Sequence, residues 1–184
     1  MLCDEVLSRQ SYEDKKKLRS PDIFYANYQQ EPIDLKGQLY SSLKTYDKPP
    51  QFEKIQSYTD TADTGTDYLC SIIYGIYQKE AYILDVIYTN DPMEVTEPLV
   101  AKHLFDYKVN EAYIESNNGG RGFSRQISHY LTDTYNTNHT VIRPFHQSKN
   151  KQSRILSNAT WVMEHIYFPY NWHNKWLHLP LHRG

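Results

Sequence analysis

Residues 57–68 read SYTDTADTGTDY and separate two runs of strand-like sequence. Ahead of them, Lys54-Ile55-Gln56-Ser57-Tyr58 has the apolar-polar character of a strand start. Behind them, Tyr68 to Tyr77 is an apolar run rich in β-branched and aromatic residues. Asp60, Asp63 and Asp67 surround the single Gly65. The acids therefore stand where one strand ends and a tight turn feeds the next. A carboxylate on a strand end is rigidly placed, and several close together repel unless a cation lies between them. The same residue types also make an ordinary solvated turn. A second stretch, Tyr113-Ile114-Glu115-Ser116-Asn117-Asn118-Gly119-Gly120, puts another acid at the end of another short strand and favours a site over a plain turn.

Working outward, residues 68–77 and 81–88 form a hairpin-like pair joined by Gln78-Lys79-Glu80. Asp91-Pro92 is expected to cap a helix over residues 93–107, with Val95, Leu99, Val100, His103 and Leu104 on one stripe. A strand over 111–115 and a helix over 122–135 follow, the helix turning Phe123, Ile127, Tyr130 and Leu131 inward. Residues 140–145 read as a strand and 151–165 as a third helix, and Ile166-Tyr167-Phe168-Pro169 closes the regular part. Upstream, Ser20-Pro21 starts a short helix over 22–30, residues 37–46 read as an irregular strand, and Lys48-Pro49-Pro50 as a linker. Three strands in hairpin order followed by strand-helix alternation predict an α/β fold. Its mixed five-stranded sheet has helices on both faces. The strand leading to Asp60 sits centrally, flanked by the hairpin on one side and the parallel strands on the other.

A length of 184 residues fits one domain, or one domain with an arm. Seventeen tyrosines supply apolar bulk with a polar tip, suited to half-buried strands and wet interfaces. The net charge of −2 is unevenly spread: from Ser116 onward eight Lys or Arg face only Asp133 and Glu164. A basic half beside an acid cluster suits a phosphate-rich ligand held near bound cations. Cys3 and Cys70 match no metal or redox spacing and imply a reducing compartment. No segment approaches ~18 continuous apolar residues, so no membrane span is expected.

In the predicted arrangement Asp60 and Glu115 end adjacent parallel strands at one edge of the sheet, where ligands collect. Oxygen-only ligands favour Mg²⁺ or Mn²⁺ over zinc. Two such ions can activate water and stabilise a leaving oxygen in phosphodiester hydrolysis. Gly119 and Gly120 precede a helix start, where bare backbone N–H groups can meet a DNA phosphate. Lys149, Lys151 and Arg154 at the start of the third helix are further DNA-backbone candidates, with a solvated helix start as the plain alternative. Tyr170, Trp172 and Trp176 are expected to pack over an exposed part of the sheet rather than stack on bases.

The residues around both acids carry a resemblance. SYTDTADTGTDYLCSIIYG, AYILDVIY, AYIESNNGG, and NKQSRI followed by a helix and IYFP resemble, in that order, the C-terminal nuclease domain of the large terminase subunit of tailed bacteriophages and prophages, an RNase H-like fold. FYANYQQEPIDLKGQLY resembles the segment that joins the family's ATPase to its nuclease. The resemblance covers roughly residues 20–170. It implies an arm over residues 1–52 and a nuclease domain over 53–184. It further implies Asp60 and Glu115 as catalytic metal ligands of a two-metal Mg or Mn endonuclease, with Asp67 as an outer-shell or alternate ligand. Asp63 is left a turn role, and Asp85 matches an acid of the family strand, expected to be half-buried and hydrogen-bonded. Double-stranded DNA, the phage portal and the small terminase subunit are the implied partners, in the cytoplasm of a bacterial host. Two departures stand out. No GxxxxGK[ST] motor motif is present, and residues 172–184 contain no acid to match the family's third one. A truncated domain without its C-terminal helix is the expectation. His173, His178 and His182 are candidates to replace that acid, with a solvated tail as the plainer alternative. A non-catalytic DNA- or portal-binding prophage remnant of the same fold is the competing reading, and a metal-dependent phosphatase a third.

Overall fold

A computed structural model describes residues 39–40, 42–61, 67–117, 120–148 and 150–176. The expected helix over 22–30 and most of the expected arm lie outside the described residues, as do Asp63, Gly119, Lys149, His178 and His182. The chain divides into two compact units, Leu43–Gln147 with Glu164–Gly184, and Met1–Ser42 with Ser148–Met163.

The first unit holds a seven-stranded sheet. Its strands are β1 (Lys44–Tyr46), β2 (Lys54–Asp60), β3 (Leu69–Tyr77), β4 (Glu80–Thr89), β5 (Glu111–Glu115), β6 (Val141–Phe145) and β7 (Ile166–Pro169). They lie in the order β1-β7-β4-β3-β2-β5-β6. The mixed α/β fold is the expected one, with β2 between the β3–β4 hairpin and the parallel strands β5 and β6. The two strands beyond the expected five are β1 and β7, which pair parallel with each other, β7 pairing in turn with β4. Every neighbouring pair is parallel except the two that involve β3. Six strands thus point one way, and their carboxyl ends share one edge.

The β3–β4 turn is made by Gln78 and Lys79, both at positive φ (50° and 66°). That is the twist a two-residue hairpin loop requires, adopted here without glycine. The Gln78 N–H donates to Glu53 Oε1 at 2.9 Å, holding the turn against the start of β2.

Helix α1 (Met93–Asp106) and helix α2 (Gly120–His129) pack on one face of the sheet, and α2 continues as a π-helical turn over Tyr130–Thr134. The core lies between them and β3 and β5: Leu69, Ile73, Leu104, Ile114, Phe123 and Ile127 are at most 2% exposed. In α2 the i, i+4 series Phe123, Ile127, Leu131 supplies the inward stripe as expected. In α1 the stripe is turned by one position. Thr96, Val100, Ala101 and Leu104 are buried, whereas Val95 and Leu99 are exposed. The choice between two overlapping apolar stripes is made by packing against α2, to which period alone is blind. Asp91 does not cap α1 either. Its Oδ2 accepts the Thr89 hydroxyl at 2.7 Å, and the first turn of the helix instead donates to the Pro92 carbonyl.

A bulge in β4 shifts the register between Ile73/Asp85 and Tyr74/Ile83 and leaves Leu84 without a cross-strand partner on β3. The carbonyls exposed there are taken by side chains, Tyr46 Oη donating to Ile83 O at 2.7 Å and Lys175 Nζ to Leu84 O. Beside the bulge, Asp85 sits at the centre of a polar cluster. It accepts from Tyr107 Oη (2.9 Å), His103 Nε2 (3.2 Å) and Trp176 Nε1 (3.2 Å), with Lys175 Nζ at 3.3 Å. Burial opposes its charge. The donors from His103, Trp176 and Tyr107 and the charge of Lys175 outweigh that and hold the carboxyl well below the usual carboxylate range. Trp176 is buried and packs as expected through Asp85, and Trp172 lies against Phe168, whereas Tyr170 is exposed and does not pack on the sheet. The short helix α4 (Trp172–Lys175) brings Trp176 to Asp85, after helix α3 (Lys151–His165) and β7.

Through Met163, α3 belongs to the second unit. Its start is capped by Asn150, whose Oδ1 accepts the Ser153 N–H at 3.2 Å. Among the described residues no helix is long and apolar enough to cross a membrane.

Because the folded-state pKa of Asp85 is depressed, its stabilisation is complete above the ordinary carboxylate pKa of about 4 and is lost as pH falls through the lower folded value. Asp85→Asn is therefore expected to destabilise by about 2 kcal/mol near neutrality. It should also flatten the acid limb of a denaturation-midpoint-versus-pH curve. A variant that keeps the parent's acid limb would show that Asp85 is not the group responsible.

Candidate active site

The parallel pairing of β2 with β5 matches Gln56 with Glu111, Ser57 with Ala112, Tyr58 with Tyr113 and Thr59 with Ile114. Asp60 and Glu115 are the next residues on the two strands. Paired residues of a parallel ladder share a face, and side chains alternate along each strand. Thr59 and Ile114 are on the core face, so Asp60 and Glu115 both project from the opposite one, at the carboxyl edge. Six strand ends point to this edge, and it is where the connection direction switches from the β3 hairpin to the β5 crossover.

Both ends of this pairing are tied down. At the far end the Asn110 N–H donates to Ile55 O at 2.8 Å, and Asn110 Oδ1 accepts the Ile55 N–H at 2.8 Å. Glu111 there accepts from Gln56 (2.7 Å), Arg143 (2.8 Å) and Lys54 (3.1 Å), which lower its carboxyl to about 2. Glu111 is an ion-paired structural acid. At the near end Glu115 is 5% exposed. The Tyr58 hydroxyl donates to Glu115 Oε2 at 3.4 Å, and Thr61 Oγ1 donates to the Glu115 carbonyl at 3.2 Å. Asp60 is half-buried.

The turn after β5 fixes Glu115 from the other side. The Ser116 N–H donates to Phe145 O at 2.8 Å, and Asn117 exchanges side-chain hydrogen bonds with the Gln147 backbone (2.8 and 3.1 Å). Gly120, the first residue of α2, lies so close that a Cβ would overlap the Glu115 carbonyl oxygen and crowd Thr61 Oγ1. Its own N–H donates to Asn117 O at 3.0 Å, so that amide closes the turn rather than standing open to a phosphate. Gly120 therefore seats the helix against the acid. Neither its contact with Glu115 nor the donors from Tyr58 and Thr61 has a sequence signal, because all three depend on which strands become neighbours.

Asp67 is exposed and stands two residues before β3, which enters at this same edge because it runs antiparallel to β2. The ring of the neighbouring Tyr68 stacks on Tyr88 at 4.8 Å. Asp85 is on the core face, in the cluster described above, and does not join Asp60 and Glu115. Lys151 is exposed and Arg154 half-buried at the start of α3, in the second unit. His173 is exposed in α4. Among the described residues no group of three His, Cys, Asp or Glu side chains could hold a metal ion. What the edge offers is a pair of hard oxygen donors on one face. Such a pair fits a divalent cation of the magnesium kind, with most of its coordination left to water and ligand.

The sequence model described as the Ribonuclease H-like domain of the bacteriophage T7 terminase matches residues 59–166. The chain belongs to this terminase family. Its match begins one residue before Asp60 and ends at the first residue of β7, so it contains both edge acids. Solved structures similar to the chain include a variant nuclease domain of the large terminase subunit of bacterial virus Sf6, with manganese and beta-thujaplicinol. It is 13% identical, with a TM-score of 0.43, over 53% of this chain and 40% of that one. The large terminase of a thermophilic bacteriophage is 14% identical, with a TM-score of 0.49, over 89% and 42%. The human cytomegalovirus terminase nuclease domain, manganese-soaked and inhibitor-bound, is 17% identical, with a TM-score of 0.41, over 90% and 77%. The matched part thus amounts to about two fifths of each of the two phage chains. A search of curated proteins finds no match.

Two glycines of α2 provide a test of the packing. A Cβ at Gly122 would meet nothing within 4 Å. Gly122→Ala is expected to raise stability by about 0.5–1 kcal/mol through helix propensity alone. Gly120→Ala should instead lower stability by about 1–3 kcal/mol, because the Glu115 carbonyl cannot yield without disturbing the turn after β5 that Ser116 and Asn117 hold against Phe145 and Gln147. Chemical denaturation of the two variants checks the contrast; equal effects would mean that α2 is not seated on Glu115.

Proposed function

We propose that this chain carries a metal-dependent DNA endonuclease site in which Asp60 and Glu115 are the catalytic metal ligands and Asp67 is a further ligand at the same edge. The observation that supports it is the register of β2 on β5. It sets two carboxylates side by side on one face, at the opposite end of the pairing from Lys54 and Arg143, which are spent on Glu111. Family membership makes phosphodiester hydrolysis the chemistry to expect of such a pair.

Asp60 and Glu115 would hold a Mg²⁺ or Mn²⁺ ion. When bound, it supplies Lewis-acid stabilisation of the charge that develops on the phosphodiester oxygens and makes a nearby water a better nucleophile. The chain's own contribution is orientation. Tyr58 and Thr61 limit the motion of Glu115, and burial of Glu115 keeps competing water from its inner oxygen. A two-ion arrangement requires a third anchoring acid. Asp67 is the nearest candidate in sequence among the described residues, and its exposed position on a turn makes it a weaker anchor than a strand end. Slow cleavage follows, faster with Mn²⁺ than with Mg²⁺, whose demand for near-ideal octahedral geometry is stricter. Lys151 and Arg154 remain proposed contacts to the DNA backbone, which would make binding salt-sensitive.

The second reading is a DNA- or portal-binding module of the same fold without chemistry. It is favoured by one observation: no three-ligand group is found among the described residues. We propose the phage portal and the small terminase subunit as further partners.

The test joins metal binding to nicking. Mn²⁺ should raise the melting temperature of the parent, since the ion relieves carboxylate repulsion only in the folded state. Glu115→Gln should lose most of that shift, and Asp60→Asn should lose both the shift and the relaxation of supercoiled plasmid. Parent-like Mn²⁺ stabilisation in Glu115→Gln would remove Glu115 from the site. Plasmid binding with no nicking in either metal would favour the non-catalytic module.

A further inference from the structure

Helix α2 leaves the carboxylate edge carrying two exposed arginines, Arg121 and Arg125. Its inward side is occupied by Phe123, Ile127 and Leu131. Its outward side is exposed at Arg121, Gly122, Arg125 and His129. Arg121 and Arg125 are one helical repeat apart, about 6 Å along the axis, and share a stripe. Among the described residues neither has an ion-pair partner, although Lys54, Lys102, Arg143 and Lys175 all do. His129 differs, since its Nδ1 stands 3.7 Å from Asp133, which matches any charge it carries.

This pattern runs against the stability of an isolated helix. Like charges at i, i+4 repel, and the first turn of α2 has no acid to favour the positive end of the helix dipole. Gly122 lies between the two arginines in open space, so no packing contact calls for a glycine and helix propensity disfavours one. Two guanidinium groups on either side of bare backbone form a surface that a chain of phosphates can approach closely. α2 begins against the Glu115 carbonyl, so one end of this surface abuts the carboxylate edge.

We infer that the exposed side of α2 is a track for the phosphate backbone of duplex DNA, with Arg121 and Arg125 each contacting a phosphate. The choice of DNA as the polyanion rests on the nuclease reading; the track itself rests on the charge and exposure of α2. The track starts at the strand ends that carry Asp60 and Glu115, whose side chains project from the opposite face of the sheet. Arg121 and Arg125 position the DNA and take no part in the chemistry.

The test is fluorescence anisotropy of the full chain with a short labelled duplex in metal-free buffer, at salt from about 50 to about 200 mM. The Arg121→Gln/Arg125→Gln double variant should bind more weakly, with a log–log salt slope shallower by about 2, one per lost phosphate contact. Gly122→Glu, which sets an acid between the arginines, should weaken binding in the same direction. Lys102→Gln, which removes a lysine already paired with Asp106, should leave the slope unchanged. Circular dichroism confirms that each variant is folded. An unchanged slope in the double variant, parent-like binding by Gly122→Glu, or a parent without salt-dependent duplex binding would each overturn the track. A parent that never nicks plasmid while its two arginines still set the slope would overturn the nuclease reading and support the track.

Discussion

The structure depends on the in-register parallel pairing of β2 with β5. These strands are distant in sequence, and no hairpin connects them. Their alignment is enforced by Asn110, which uses both backbone and side chain on Ile55, and by Glu111, which draws Lys54, Gln56 and Arg143 onto one carboxylate. A slip of one residue would turn Ala112 and Ile114 out of the core and Glu111 into it. Because the register is held at the far end, the near end can place two acids together without relying on them to fix the strands.

Three of the described acids illustrate how position decides what a carboxylate does. Glu111 is surrounded by cations and held ionised as a fastener. Asp85 is withdrawn from solvent and held ionised by donors from α1 and from the segment after β7, so that it organises the bulged middle of β4. Glu115 is as buried as many core residues. The Tyr58 hydroxyl reaches its Oε2 at 3.4 Å, and Thr61 holds its carbonyl at 3.2 Å. Its place at a strand end beside Asp60, rather than the count of acids, separates the edge from the rest of the sheet.

Much of this was legible in the sequence. Strand ends mark themselves where an apolar run meets Asp60 and where Glu115 meets Asn-Asn-Gly-Gly, and the hairpin-then-alternation order makes those two strands neighbours. The i, i+4 series of α2 was equally plain. Less legible were features set by partners. β1 is three residues long and finds its place only through β7, which itself reads as a four-residue apolar run after a helix. The buried stripe of α1 could be phased on Val95–Leu99 or on Thr96–Val100, and α2 decided between them. Asp91 looked like a cap and is occupied by Thr89. Gly120 looked like a phosphate-binding glycine and is a spacer between a helix and a carbonyl.

The margin formed by β1 and β7 has a bearing on how the molecule comes apart. Lys44 and Tyr167 are 123 positions apart, and the backbone ladder on this side is short, three residue pairs between β1 and β7 and two between β7 and β4. Closing so long a loop is entropically costly for so short a ladder, whereas the β3–β4 hairpin is local and forms cheaply. Partial opening is expected to begin at this margin, below the free energy of global unfolding. Once β7 lifts away, it uncovers the backbone of β4 along an apolar, β-branched strand. That bare strand is a template for edge-to-edge association between molecules, and the short β1–β7 pair is what keeps it covered.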